Sequence, residues 1–175
     1  MNDFSECLAY SLGAQEQFDA SVLKKHFSWI ETIEKTDIET DKTGIDYIAI
    51  LKDGSKFTID AKTRKSGCSQ YWKDNIPELC LEKYSICERN VIGWLFKKSK
   101  NHPDYILYTF PQSETDKYYL LPYQLLRKAA FIHWREWESE YGEKFQENAG
   151  WTSSAIFVPA PVVINAIQEI MEGKT

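Results

Sequence analysis

Long apolar runs are missing from the sequence. No uninterrupted apolar stretch approaches the roughly 20 residues that crossing a bilayer requires, and no basic segment leads into an apolar one at the start of the chain. A soluble, cytoplasmic protein with no membrane partner is the expectation. Cysteine is sparse and unpatterned: Cys7, Cys68, Cys80 and Cys87 form no CxxC pair and no Cys/His cluster, so the ligand spacing of a zinc site is absent. A chain of 175 residues can bury a core without disulfide staples, and the thiols are expected to be reduced and mostly buried. There is no glycine-rich phosphate loop, no serine set in a recognisable hydrolase motif, and no repeat, low-complexity stretch or interdomain linker. An excess of positive charge is lacking too. The net charge of -5 argues against a protein that coats nucleic acid by wholesale phosphate neutralisation.

What the sequence does have is a globular composition, 43% hydrophobic and 27% charged, with six Trp and ten Tyr, which excludes disorder. One domain over residues 1–175 is the default. Hydrophobic period and turn residues predict a helix from Ser5 through Leu8 and Leu12 toward Leu23, with Glu16 set in it. A strand is predicted from Phe27 to Ile33 and a loop from Glu34 to Thr43. Then come two strand-like runs, Ile45–Leu51 and Lys56–Thr63, around Lys52-Asp53-Gly54-Ser55, the clearest hairpin in the chain. A helix is expected from Pro77 to about Phe96, because Leu79, Ile86, Ile92 and Leu95 stand among charged residues. Strands follow at Asp104–Phe110 and Lys117–Leu121. A long helix from about Pro122 to Tyr141 ends at Gly142. The tail reads as a strand, Ala155–Val158, and a last helix to Met171 with Pro161 near its first turn. Strands alternating with helices make a mixed α/β domain.

The chemistry gathers in the hairpin. In a strand, side chains two apart share a face, so Ile59-Asp60-Ala61-Lys62 sets a carboxylate and an ammonium side by side, roughly 7 Å apart along the chain. Asp46, in Gly44-Ile45-Asp46-Tyr47, opens the partner strand. Which face it takes depends on the loop. A two-residue Asp53-Gly54 turn sets Asp46 opposite Ala61, away from Asp60, whereas a three-residue loop at Asp53–Ser55 sets it opposite Lys62 and on the same face as Asp60. Converging carboxylates that hold a metal, beside an ammonium, are what hydrolysis of a phosphodiester needs.

These residues carry a resemblance. Gly44-Ile45-Asp46, a short hairpin and Ile59-Asp60-Ala61-Lys62 resemble the core of the PD-(D/E)xK nuclease superfamily, and the likeness runs from the first helix to about Lys65. Ile45 stands where the name-giving proline would be, and Asp60 replaces the commoner glutamate. The resemblance implies a restriction-endonuclease-like, Holliday-junction-resolvase-like fold: an αβββαβ core with a central mixed sheet flanked by helices. It implies a DNA endonuclease using Mg2+ or Mn2+ held by Asp46, Asp60 and Glu16, with the Ala61 main-chain carbonyl completing the shell and Lys62 assisting attack by water. Gly13-Ala14-Gln15-Glu16 resembles the helix element that supplies the additional glutamate. Cutting both strands of a duplex would suit a homodimer.

Around the triplet the chain is locally basic, with Lys52, Lys56, Lys62, Arg64, Lys65 and Lys73 against Asp53 and Asp60. Arg64, Lys65, Gln70 and Lys73 are candidate phosphate contacts and Tyr71, with Trp72, a candidate base-stacking group. A solvated face or a loop resting on the core accounts for the same residues equally well. Two other readings of the chain stand beside the DNA nuclease. One is a noncatalytic nuclease-like scaffold that binds protein or nucleic acid or acts as an acidic inhibitor; the other is an RNA-processing enzyme with the same centre.

Overall fold

The computed structural model describes residues 16–37, 44–64, 68–110 and 117–174, with the side chains of residues 16–19, 69 and 71 outside the description. The described chain is α/β, with helices, a mixed sheet and an antiparallel sheet. It falls into two compact units, one of residues 16–68 and 99–123, the other of residues 69–98 and 124–174. Among the described residues the chain passes from one unit to the other at Cys68/Ser69, Lys98/Ser99 and Tyr123/Gln124, which interleaves the units in sequence. That interleaving is why no linker composition marks a boundary.

The first unit holds helix α1 (Glu16–His26) and strands β1 (Ile30–Lys35), β2 (Tyr47–Leu51) and β3 (Lys56–Thr63). The expected part of the first helix before Glu16 lies outside the described residues. Strand β1 begins and ends later than predicted: Phe27 is held in the helix's last turn by its N–H donating to the Leu23 carbonyl, and the Ile30 N–H returns to the Phe27 carbonyl. Strands β1, β2 and β3 form an antiparallel meander. On the far side of β3 lies the parallel strand β6 (Tyr105–Phe110), followed by antiparallel β7 (Lys117–Pro122), giving the order β1-β2-β3-β6-β7. Alternation decides the faces. Tyr47, Ala49, Ile59 and Leu107 share one face and pack with Leu23 of α1 and Ile30; each fully buried aliphatic of this set contributes about 1.5–3 kcal/mol. Asp60 and Lys62 alternate onto the other face.

The second unit is built on an antiparallel sheet, order β5-β4-β9-β8, of β4 (Glu78–Ile86), β5 (Val91–Ile92), β8 (Lys144–Glu147) and β9 (Thr152–Pro159). It also holds the helices α2 (Tyr123–Tyr141), whose first residue closes the other unit, and α3 (Ala160–Met171). Here the predicted helix from Pro77 to Phe96 is corrected: the segment is β4, a 3-10 turn at Cys87–Arg89 and β5. Leu79 and Leu81 are fully buried two residues apart, a strand period, and β4 pairs with β9 from Glu78/Pro159 to Tyr84/Ser154. The apolar spacing resembled a helix only because the strand's outer residues are mixed. Helix α2 matches the predicted span, and Gly142 (φ +71) closes it with its N–H donating to the Glu138 carbonyl. Helix α3 buries Val163, Ala166, Ile167 and Ile170, a helical stripe, and Pro161 stands in its first turn as expected.

Cys68, Cys80 and Cys87 are free and half-buried; Cys7 lies outside the described residues. No helix among the described residues is long and apolar enough to cross a membrane.

Candidate functional site

The hairpin between β2 and β3 sets up the site. Leu51 and Ser55 close it, the Leu51 N–H donating to the Ser55 carbonyl at 2.9 Å, so the loop is the three residues Lys52, Asp53 and Gly54. Gly54 has φ +83, a conformation that costs other residues roughly 1–2 kcal/mol. The Asp53 carboxylate accepts the Ser55 hydroxyl and N–H at 2.6 and 2.9 Å, bonds that lower its pKa. An odd loop was required for the two aspartates to share a face, and the loop is odd. It sits one residue earlier than Asp53–Ser55, however, and the register moves with it: Tyr47 lies opposite Ile59, bringing Asp46 beside Asp60 instead of opposite Lys62.

Asp46 is held at three atoms. Its N–H donates to the Ile59 carbonyl at 2.9 Å, its carbonyl accepts the Thr36 N–H at 2.9 Å, and its carboxylate Oδ2 accepts the Ala61 N–H at 2.7 Å. Asp60 is 4% exposed, and its Oδ1 accepts the Lys62 ammonium at 2.5 Å. Across the parallel pair Asp60 stands beside Ile106 and Lys62 beside Tyr108, both buried. Gly44 (φ +89) lies close to the same carboxylate; a Cβ there would lie 3.9 Å from Asp60 Oδ2.

Two acids meet here, Asp60 buried and Asp46 half-buried. Burial first, and then the neighbouring Asp60 charge, raise the Asp46 pKa, while Lys62 and the Ala61 N–H pull it down without prevailing. Like charge on a neighbouring carboxylate opposes ionisation of Asp46. A hard cation relieves such a pair, and one or two carboxylates with several waters are the donor set on which Mg2+ is held. The residues present fit that group as a two-carboxylate set. Among the described residues no cluster of three or more His, Cys, Asp or Glu could hold a metal, and the Glu16 carboxylate lies outside the described side chains.

The other sequence candidates divide. Arg64 follows β3 with its N–H donating to the Thr109 carbonyl at 2.9 Å; two residues beyond Lys62, it continues the Asp60–Lys62 row and is half-buried. Its charge reaches Cys68, whose thiol burial nonetheless pushes up. Lys65 and the Tyr71 side chain lie outside the described residues. Gln70 and Lys73 are exposed, in 3-10 turns that belong to the second unit. Sequence reasoning misses Thr36; a threonine inside the polar run Glu34–Thr43 carries no motif. No family model, curated protein or solved structure matches the chain.

Proposed function

We propose that this protein is a divalent-metal-dependent nuclease of restriction-endonuclease-like fold that hydrolyses DNA phosphodiester bonds. The observation that carries the reading is the meeting of Asp46 and Asp60 at one end of the hairpin, with Lys62 on the same face as Asp60. The order helix, meander, parallel strand (α1, β1–β3, β6) supports the fold. One feature departs from an αβββαβ core: the described connection from β3 to β6 runs through the second unit as strands and 3-10 turns, without a crossover helix.

A bound Mg2+ or Mn2+ would supply a polarised phosphate and a more acidic water. Asp46 and Asp60 would hold it, with the Ala61 carbonyl as a further oxygen and Glu16 as a third acid from α1. The Ala61 N–H keeps one Asp46 oxygen occupied, and the other would be the one left for the ion. Lys62 stabilises negative charge on a phosphate oxygen next to Asp60, and Arg64, further along the row, meets a flanking phosphate. The test is incubation of plasmid, linear duplex, branched DNA and RNA with Mg2+, comparing wild type with Asp60→Ala and Lys62→Ala. Cutting by wild type alone is expected; equal cutting by all three proteins traces the activity to a contaminant and retires the reading.

The noncatalytic scaffold is favoured by one observation, the Lys62–Asp60 ion pair, which already satisfies an acid needed for metal. Calorimetry with Mn2+ separates the two, because a scaffold takes up no metal that Asp46→Ala and Asp60→Ala abolish.

A further inference from the structure

We infer that Thr36 is a positioning residue for the Asp46 carboxylate. Thr36 stands one residue beyond β1, where Lys35 pairs with Tyr47, and it prolongs the sheet by a single step. Its N–H donates to the Asp46 carbonyl at 2.9 Å. Its hydroxyl lies 2.5 Å from the Ile45 carbonyl and 3.1 Å from the Asp46 carbonyl. A threonine hydroxyl has a single proton, and the Asp46 carbonyl already accepts the N–H, so the hydroxyl serves Ile45, a buried residue. Backbone and side chain of one residue thus grip both carbonyls that flank the Asp46 Cα.

That grip has a directional consequence. With the Asp46 N–H on Ile59 and its carbonyl on Thr36, the peptide planes on either side of the Cα are fixed. The side chain then has little freedom beyond its own rotation, and it settles with Oδ2 on the Ala61 N–H. Removing the hydroxyl leaves the Ile45 carbonyl without that donor and lets the 45–46 peptide turn, which carries the carboxylate away from Ala61. Gly44, with its positive φ, is a pivot one residue upstream that does not resist the turn.

The functional importance of this grip rests on the nuclease reading, but its test does not. Thr36→Val removes the hydroxyl at constant shape, Thr36→Ser keeps it, and Asp46→Ala marks complete loss of the carboxylate. The Ala61 amide proton, read by NMR in metal-free protein, is expected to move upfield in Thr36→Val toward its position in Asp46→Ala, and to stay near wild type in Thr36→Ser. Mn2+ affinity by calorimetry should fall roughly 10–100-fold in Thr36→Val, as for other groups that orient a ligand, and recover in Thr36→Ser. If Thr36→Val does not fold, Thr36→Ala against Thr36→Ser gives the same contrast. A variant that melts earlier yet leaves the Ala61 amide unmoved overturns the inference, because Thr36 then only braces the loop. Wild type that takes up no Mn2+ defeats the nuclease reading instead, and the Ala61 signal still decides the role of Thr36.

Discussion

Each unit contains a lysine with two carboxylates, and the two clusters behave in opposite ways. In the second unit Lys83 sits between Glu138 and Glu143, at 2.6 and 3.3 Å, over the rings of Tyr84 and Trp134 at 5.9 Å each. The Trp134 indole N–H also donates to Glu138. Burial pulls the Lys83 pKa down, but the bonds to Glu138 and Glu143 outweigh it and raise it; the bond from Lys83 lowers that of Glu138. Lys83 and Glu138 are each held in the charged form. In the first unit Asp46 neighbours the buried Asp60, and burial with like charge pushes the Asp46 pKa up. Composition is the same in both; spacing and solvent decide. A partly exposed ion triad spends its charge on the fold, whereas an acid with a second acid beside it, as Asp46 has, keeps an unfavourable charge that a cation can relieve.

The contrast can be broken most forcefully at Asp60. Asp60→Ala should lower metal-dependent cleavage by at least about a hundredfold, on the scale of losing one preorganised charged group, while Glu138→Gln leaves it unchanged; equal losses in a plasmid-nicking assay would erase the distinction. Next in size is Gly44→Ala, which forces an L side chain to φ +89 and should cost about 1–2 kcal/mol in urea unfolding. Gly142→Ala at the end of α2 is the matched control in the second unit.

Asp46→Asn should move stability the other way by less than that loss. A carboxyl with a raised folded pKa is protonated more readily in the folded state, so its ionisation subtracts stability as pH climbs from the ordinary aspartate range through the folded value. The variant should therefore gain on wild type at pH 7 and lose the advantage in acid; a gain that is flat with pH would show that the burial of charge is not its source. Smallest is Glu138→Gln, expected to cost about 0.5 kcal/mol, shrinking with salt. Its sign is reversed: a lowered folded pKa contributes stability above the ordinary glutamate range that disappears as pH falls through the folded value. Thermal melts from pH 3 to 8 would show the two slopes opposed.

How much of this was legible before the fold was seen varies from element to element. The span Lys56–Thr63 could be read to the residue, because period-two alternation and the Asp53-Gly54 turn chemistry agree. Loop parity was the right variable for Asp46, although the closing pair was off by one, since Gly54 at positive φ fits as the last loop residue as well as a middle one. Strand β4 carries the pattern of a helix because half its residues are polar, and its pairing partners in β9 lie 70 or more residues downstream. Strand β8 left no signal: all four residues are exposed, and only pairing with β9 makes them a strand. Thr36 was invisible for a similar reason, its role being defined by carbonyls nine and ten residues away.

By itself the sequence determined which side chains alternate together, that a carboxylate and an ammonium stand two apart on β3, and that an odd hairpin loop would bring a second acid to them. These are consequences of strand geometry and turn residues, which act over a few positions. The tertiary structure alone decided that β6 runs parallel beside Asp60 and Lys62, that Thr36 grips the Asp46 peptide, and that Asp60 is buried. Desolvation and long-range pairing depend on atoms brought together from distant segments, and no local pattern of residues encodes that.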